Sequence, residues 1–251
     1  SEAMTVRLFR EILLSLTLIV ISGCQTMKPI HTVDNVDLNR FMGDWYVIAN
    51  IPTFIEKGAH NAVETYRLDD DGTIATTFTF RKDGFDGEKK TYNPRGFVEN
   101  TETNALWGMQ FVWPFKGDYR IIYLDEDYST TVIGRQKRDY VWLMTREPNP
   151  PAADYERAVE AIRDAGYEFV VASNGQEAWE MVQRERPSLV SLDMSMPEKS
   201  GVKFYREMRE SEEYQGIPII IVTGVSGDFE RFISTRKKVP GPEGYVPKPI
   251  D

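Results

Sequence analysis

Trp107-Gly108-Met109-Gln110-Phe111-Val112-Trp113-Pro114-Phe115 places a bulky apolar side chain at every second position. In an extended strand, Trp107, Met109, Phe111, Trp113 and Phe115 project from one face. Such a stripe needs an apolar interior to face. Working outward, Thr73 to Phe80 is rich in β-branched and aromatic residues, and Asp70-Asp71-Gly72 before it is a turn signal. Tyr119 to Leu124 and Tyr140 to Thr145 repeat the pattern. Short strands divided by turn signals predict an antiparallel barrel or sandwich over residues 38–167.

A barrel of about eight strands has just enough interior for one small ligand. Strand parity then nominates Phe78, Trp107, Phe111, Trp113, Tyr119 and Tyr123 as pocket residues. The plainer account of the stripe is ordinary core packing. A slip of one residue would turn every side chain to the other face. After Pro148-Asn149-Pro150-Pro151, a helix is predicted from Ala153 to Ala165. Tyr155, Ala158, Val159 and Ile162 share one face, and Gly166 is a natural stop.

Gly43-Asp44-Trp45-Tyr46 resembles the Gly-x-Trp signature on the first strand of lipocalins. Leu124-Asp125-Glu126-Asp127-Tyr128 stands where that family carries a Thr-Asp-Tyr type motif, here without the threonine. Trp142-Leu143-Met144-Thr145-Arg146 resembles the third motif. The resemblance implies an eight-stranded antiparallel barrel with a C-terminal helix. It also implies that Arg146 packs over Trp45 at the closed end. The three motifs in order resemble those of bacterial outer-membrane lipocalins, which bind fatty acids and lysophospholipids.

Residues 4–24 have the layout of a secretory signal. Arg7 and Arg10 precede the apolar run Ile12 to Ile21, and small residues precede Cys24. Ile21-Ser22-Gly23-Cys24 also resembles the bacterial lipobox, which implies an acylated Cys24. Gln25 in place of aspartate implies the outer membrane, facing the periplasm. Residues 25–37 read as a polar tether.

Residues 168–251 change to strand–helix alternation. Phe169–Ala172, Leu189–Leu192, Pro218–Val222 and Tyr245-Val246 read as strands, with helices opening at Gly175 and Gly201. Pro187 to Pro197, Ile219 to Thr223 and Lys248-Pro249 resemble response-regulator receivers of flavodoxin-like fold. The resemblance implies Asp193 as phosphoacceptor, Thr223 and Tyr245 as switch residues, and Lys248 as partner of the acyl phosphate. It implies magnesium bound by Asp193 and the Ser195 carbonyl, should the segment be active. The first receiver strand, with its paired acids, is missing before Gly166, and the final helix is missing before Asp251. The Phe169 strand is therefore expected either to move into the gap or to stay poorly docked. Residues 153–165 fit the last helix of one family and the first helix of the other.

A net charge of −9 argues against a nucleic-acid binder, and a single cysteine forbids an intrachain disulfide. No nucleophile motif suggests catalysis, and no cofactor besides that conditional magnesium is expected. Exported past the membrane, Asp193 would lie away from cytoplasmic phosphodonors, so no histidine-kinase partner is expected. The leading reading is a membrane-anchored carrier of fatty acids or lysophospholipids. The alternatives are a phosphoacceptor signalling through Asp193 and a structural lipoprotein that binds nothing.

Overall fold

Burial alternates without a break along the second and third strands, and this pattern builds the barrel. The computed structural model describes residues 28–194, 201–223 and 241–247. The strands are β1 (Gly43–Ile51), β2 (Ala59–Leu68), β3 (Thr73–Lys82), β4 (Lys89–Tyr92), β5 (Arg95–Val98), β6 (Leu106–Val112), β7 (Phe115–Leu124), β8 (Thr130–Gly134) and β9 (Val141–Thr145). His60, Ala62, Glu64 and Tyr66 on β2 are buried, as are Ile74, Thr76, Phe78 and Phe80 on β3. The residues between them face solvent, as the two-residue strand period requires.

All neighbours in the ring pair antiparallel, in the order β2-β1-β9-β8-β7-β6-β5-β3, and β3 pairs back onto β2. Eight positions therefore close. β4 and β5 share one of these positions: both pair with β3, on either side of Asn93-Pro94. A short helix, α1 (Leu38–Phe41), precedes β1 and is capped by the Asp37 carboxylate, which accepts from the amides of Asn39 and Arg40. Strand direction puts α1 and the β2–β3, β5–β6 and β7–β8 connections at one end. The β1–β2, β3–β4, β6–β7 and β8–β9 connections form the other.

Residues 28–37, expected as a free tether, lie along the barrel instead. Ile30 and Val36 are buried. The Val33 amide donates to the Ile121 carbonyl at 3.0 Å, and the Val36 amide to the Thr103 carbonyl at 2.8 Å. Their apolar side chains find a barrel wall to cover, which a reading of local polarity did not register.

Helix α2 (Ala152–Asp164) packs on the outside of β8 and β9. Every residue of β8 is buried, because the barrel interior covers one face and the helix the other. Gly166, at φ +82, ends the helix. Beyond it come α3 (Gly175–Glu185), β10 (Val190–Asp193), α4 (Gly201–Glu210), β11 (Ile219–Thr223) and β12 (Gly244–Pro247). The last three strands form a parallel sheet, β10-β11-β12. Leu192, Ile219 and Ile221 pack against Val182 of α3 and Phe204, Tyr205 and Met208 of α4.

The opposite sheet face joins the barrel. Ile220, Val222 and Val246 share one apolar cluster with Tyr155 and Ala158 of α2 and with Ile48, Val132 and Leu143 of the barrel wall. One helix therefore packs against both the barrel wall and the parallel sheet. Phe169–Ala172 forms no strand, and Phe169, Val170 and Val171 are exposed. Of the two outcomes expected for this segment, it stays undocked. Tyr155 also ties helix to sheet, its hydroxyl donating to Ser191 Oγ at 3.1 Å. Tyr155→Phe should cost about 1 kcal/mol. Hydrogen exchange should show that loss at β10 and β11 amides while β1–β3 amides stay protected.

Candidate functional site

The closed end is built around Arg146. Its guanidinium carbon lies 3.9 Å from the centre of the Trp45 ring. Its nitrogens donate to the carbonyls of Arg40 at 2.8 Å, Phe41 at 3.1 Å and Met42 at 2.9 Å, which are left over at the end of α1. It also reaches the carbonyls of Asp44 and Tyr128. Gly43, at φ +98, lets the chain turn from α1 into β1, and a Cβ there would stand 3.3 Å from the guanidinium. Above this end sits an aromatic plug. Phe41 meets Trp45, Tyr66 and Trp107, and Trp107 stacks on Tyr119 with centroids 5.3 Å apart.

Toward the open end the interior changes. Phe78, Phe80 and Ala62 form an apolar group with Val47 and Ile55. Two carboxyl groups enter this region. Glu64 on β2 accepts from the Tyr66 hydroxyl, which lies 2.6 Å from the Tyr119 hydroxyl. Burial pushes the Glu64 carboxyl up to about 8, and the charge of Glu56 adds to the push. Glu56, in the β1–β2 connection, accepts from Trp142 Nε1 at 2.6 Å, the Thr53 amide at 2.9 Å and Asn50 Nδ2 at 3.3 Å. Burial raises its carboxyl too, and these hydrogen bonds oppose the rise. At neutral pH Glu64 is thus mainly a neutral acid. Sequence reasoning missed both residues. The parity His60, Ala62, Glu64, Tyr66 on one strand face was the available signal for Glu64.

The nominated pocket residues separate into three groups. Phe78, Trp107 and Tyr119 are buried inside the barrel. Phe111 and Trp113 are not interior: Trp113 is 81% exposed. The register of β6 against β7 shifts between Met109 and Val112, and β5 pairs with β6 only as far as Gln110. The hairpin tip therefore runs past the barrel wall and carries Phe111, Trp113 and Phe115 into solvent. Tyr123 is not interior either. A register shift between Ile121 and Tyr123 turns it outward, against the cluster shared with α2. A separate groove of about 340 Å³ opens on the outer wall beside the Asn93-Pro94 break, lined by Arg67, Thr77 and Arg95.

In the parallel sheet, Asp193 ends β10 and Thr223 ends β11 on the neighbouring strand, with Asp193 paired to Val222. Tyr245 on β12 pairs with Ile221. The strand ends thus bring Asp193 and Thr223 to one edge of the sheet. Cys24, Ser195 and Lys248 lie outside the described residues.

The lipocalin-like domain family matches residues 36–172, more than half of the chain. The response regulator receiver domain family matches residues 154–251. The chain is a lipocalin joined to a receiver segment. The lipocalin part is 27% identical over 164 residues to the outer membrane lipoprotein Blc of Vibrio cholerae, covering 63% of this chain and 94% of that one. It is 31% identical over 142 residues to Blc of Escherichia coli K12, covering 51% and 74%. The receiver segment is 34% identical over 93 residues to the polar-differentiation response regulator DivK of Brucella anthropi, covering 36% and 72%. The two family matches overlap at residues 154–172, which contain most of α2, the helix that packs against both modules.

Receivers use magnesium held mainly by carboxylates. Among the described residues, no group of three or more acidic, histidine or cysteine side chains gathers at this edge or elsewhere. One carboxylate is a poor donor set for a hard cation that needs several oxygens. The described residues do not fit the ion.

Proposed function

We propose that the lipocalin barrel binds one single-chain lipid, a fatty acid or lysophospholipid, at the cell envelope, with the protein held to the outer membrane through acylated Cys24. One observation carries this reading. Between the aromatic plug and the open mouth, the interior is lined by Ala62, Phe78, Phe80 and Val47, and its deepest acid, Glu64, keeps its proton at neutral pH. An apolar interior with a few placed polar groups suits an acyl chain. Glu56, Asn50 and Trp142, bonded to one another nearer the mouth, would meet the polar end of the lipid. The pocket residues on this reading are Phe78, Trp107 and Tyr119 from the parity argument, with Ala62, Phe80 and Glu64 added. The role is binding and carriage rather than catalysis. The relatives named outer membrane lipoproteins support the envelope location.

Native mass spectrometry of the full chain with added lysophospholipid tests this. One lipid per chain is expected. Ala62→Trp places an indole where Phe78 and Phe80 converge, and should weaken uptake on the order of a hundredfold with the barrel still folded. Equal uptake by the variant would place the lipid elsewhere. No uptake by the native chain would favour a structural role.

The alternative signalling role rests on Asp193 and Thr223 meeting at one sheet edge. The described residues gather no group of three acidic, histidine or cysteine side chains at that edge, so phosphorylation there by a small phosphodonor is not expected.

A further inference from the structure

The aromatic residues that leave the barrel do not scatter. Phe54, 86% exposed, sits in the β1–β2 connection; Phe85 sits in the β3–β4 connection. Trp113, flanked by Phe111 and Phe115, forms the β6–β7 tip. All three connections lie at the open end. The exposed run Phe169-Val170-Val171 joins them, because α2 finishes there: the Tyr167 hydroxyl donates to the Tyr140 carbonyl at 2.7 Å, in the β8–β9 region. Tyr92, on β4, pairs with the open half of β3. Every large apolar side chain of the barrel that the described residues leave exposed thus belongs to its open half. Exposed apolar surface gathered in one place marks an interaction site.

Charge follows the same axis. Residues 52–60, 80–90, 111–117 and 134–141 carry nine basic and five acidic side chains, in a chain of net charge −9. Three of those acids, Asp83, Glu88 and Asp139, already pair with Lys82, Lys90 and Arg135 of the same rim. The closed end is acidic, with Asp69, Asp70, Asp71, Asp125, Glu126 and Asp127 in two of its turns.

The start of the described chain lies at this rim too. The Lys28 carbonyl accepts from Gln136 Nε2 and from an Arg138 guanidinium nitrogen, both at 3.1 Å. Cys24 is four residues before Lys28. That length of chain spans at most about 14 Å.

We infer that the open mouth of the barrel docks directly on an anionic lipid bilayer, its aromatic collar entering the headgroup region and its basic rim facing the acidic headgroups. Aromatic and basic side chains together suit that boundary. A mouth pressed on the bilayer would take up a lipid without passing it through water. This deepens the lipid-carrier reading and rests on it for its purpose, though the docking is measured separately.

The test uses the full chain with Cys24→Ala, so that no acyl anchor contributes, and vesicle flotation. The vesicles are phosphatidylcholine alone or an equal mixture with phosphatidylglycerol. Flotation with the mixture is expected, weakening as salt rises from about 0.1 to 0.5 M. Trp113→Asp combined with Phe54→Asp should lower partitioning by at least about tenfold, with circular dichroism unchanged, since both side chains are exposed. Ala62→Trp should dock normally while failing to take up lipid, which separates the two readings. Equal flotation by the double aspartate variant would overturn the inference. So would concentration-dependent dimerisation of the Cys24→Ala chain, abolished by the same variant, without vesicle binding.

Discussion

Arg146→Ala should lower the stability of the barrel by about 3–4 kcal/mol, read as a drop in the urea midpoint at unchanged slope. The guanidinium donates to five carbonyls, and three of these end α1 with no helical partner. Truncation leaves those carbonyls to water where water can reach and unsatisfied where it cannot. It also uncovers the Trp45 ring, whose indole nitrogen donates to the Phe41 carbonyl at 2.8 Å within the same corner. Arg146→Lys keeps a cation over the indole but cannot fork to several carbonyls at once, so it should recover less than half of the loss. Full recovery by lysine would show that charge over the ring, rather than the carbonyl network, holds the closed end.

The second large effect is a pH dependence. The Glu64 carboxyl is pushed up to about 8 from its ordinary 4.5. Below the ordinary value both folded and unfolded chains hold the proton, and burial of Glu64 costs little. Between 4.5 and about 8 the unfolded chain releases the proton while the folded barrel keeps it. Stability is therefore lost as pH rises through that window, by roughly 5 kcal/mol in total, and levels off above it. Glu56 shifts in the same direction. Glu64→Gln can still accept from Tyr66 but has no proton to lose. Its stability curve should be flatter from pH 5 to pH 9, in denaturant titrations at each pH. Lipid uptake should weaken in the upper part of the same window, because the interior then gains a charge. A wild-type curve already as flat as that of Glu64→Gln would mean that Glu64 is ionised at neutral pH.

The chain announces its barrel through residues whose roles are local. Gly43 needs a positive φ, Trp45 needs a cover, and Arg146 needs carbonyls to bind, so the spacing of these three carries the closed end. Helix α2 was legible because its apolar positions keep the helical period and Gly166 stops it. The barrel interior was only half legible. Parity placed Phe78, Trp107 and Tyr119 inside, but parity propagates only through unbroken ladders. Register shifts after Met109 and after Ile121 sent Trp113 to the rim and Tyr123 to the outer wall. Glu56 and Glu64 escaped notice for another reason. An acid in a strand reads as a solvated face, and only the closed ring shows that Glu64 points inward. The Phe169 run, read as a strand, forms none and stays exposed.

Helix α2 ends with an obligation to two partners. Tyr155 and Ala158 meet the barrel wall and the parallel sheet within one cluster, while Glu156, Arg157 and Asp164 are left to solvent. A residue on an ordinary surface helix can drift whenever one neighbour accommodates it. Here a larger side chain at Ala158 must suit two neighbours that descend from different ancestors, and a compensating change in one leaves the misfit with the other. The helix should therefore be the slowest-changing part of the chain outside the closed end, and a scan of all substitutions across residues 152–164 should show its least tolerant positions where both modules touch.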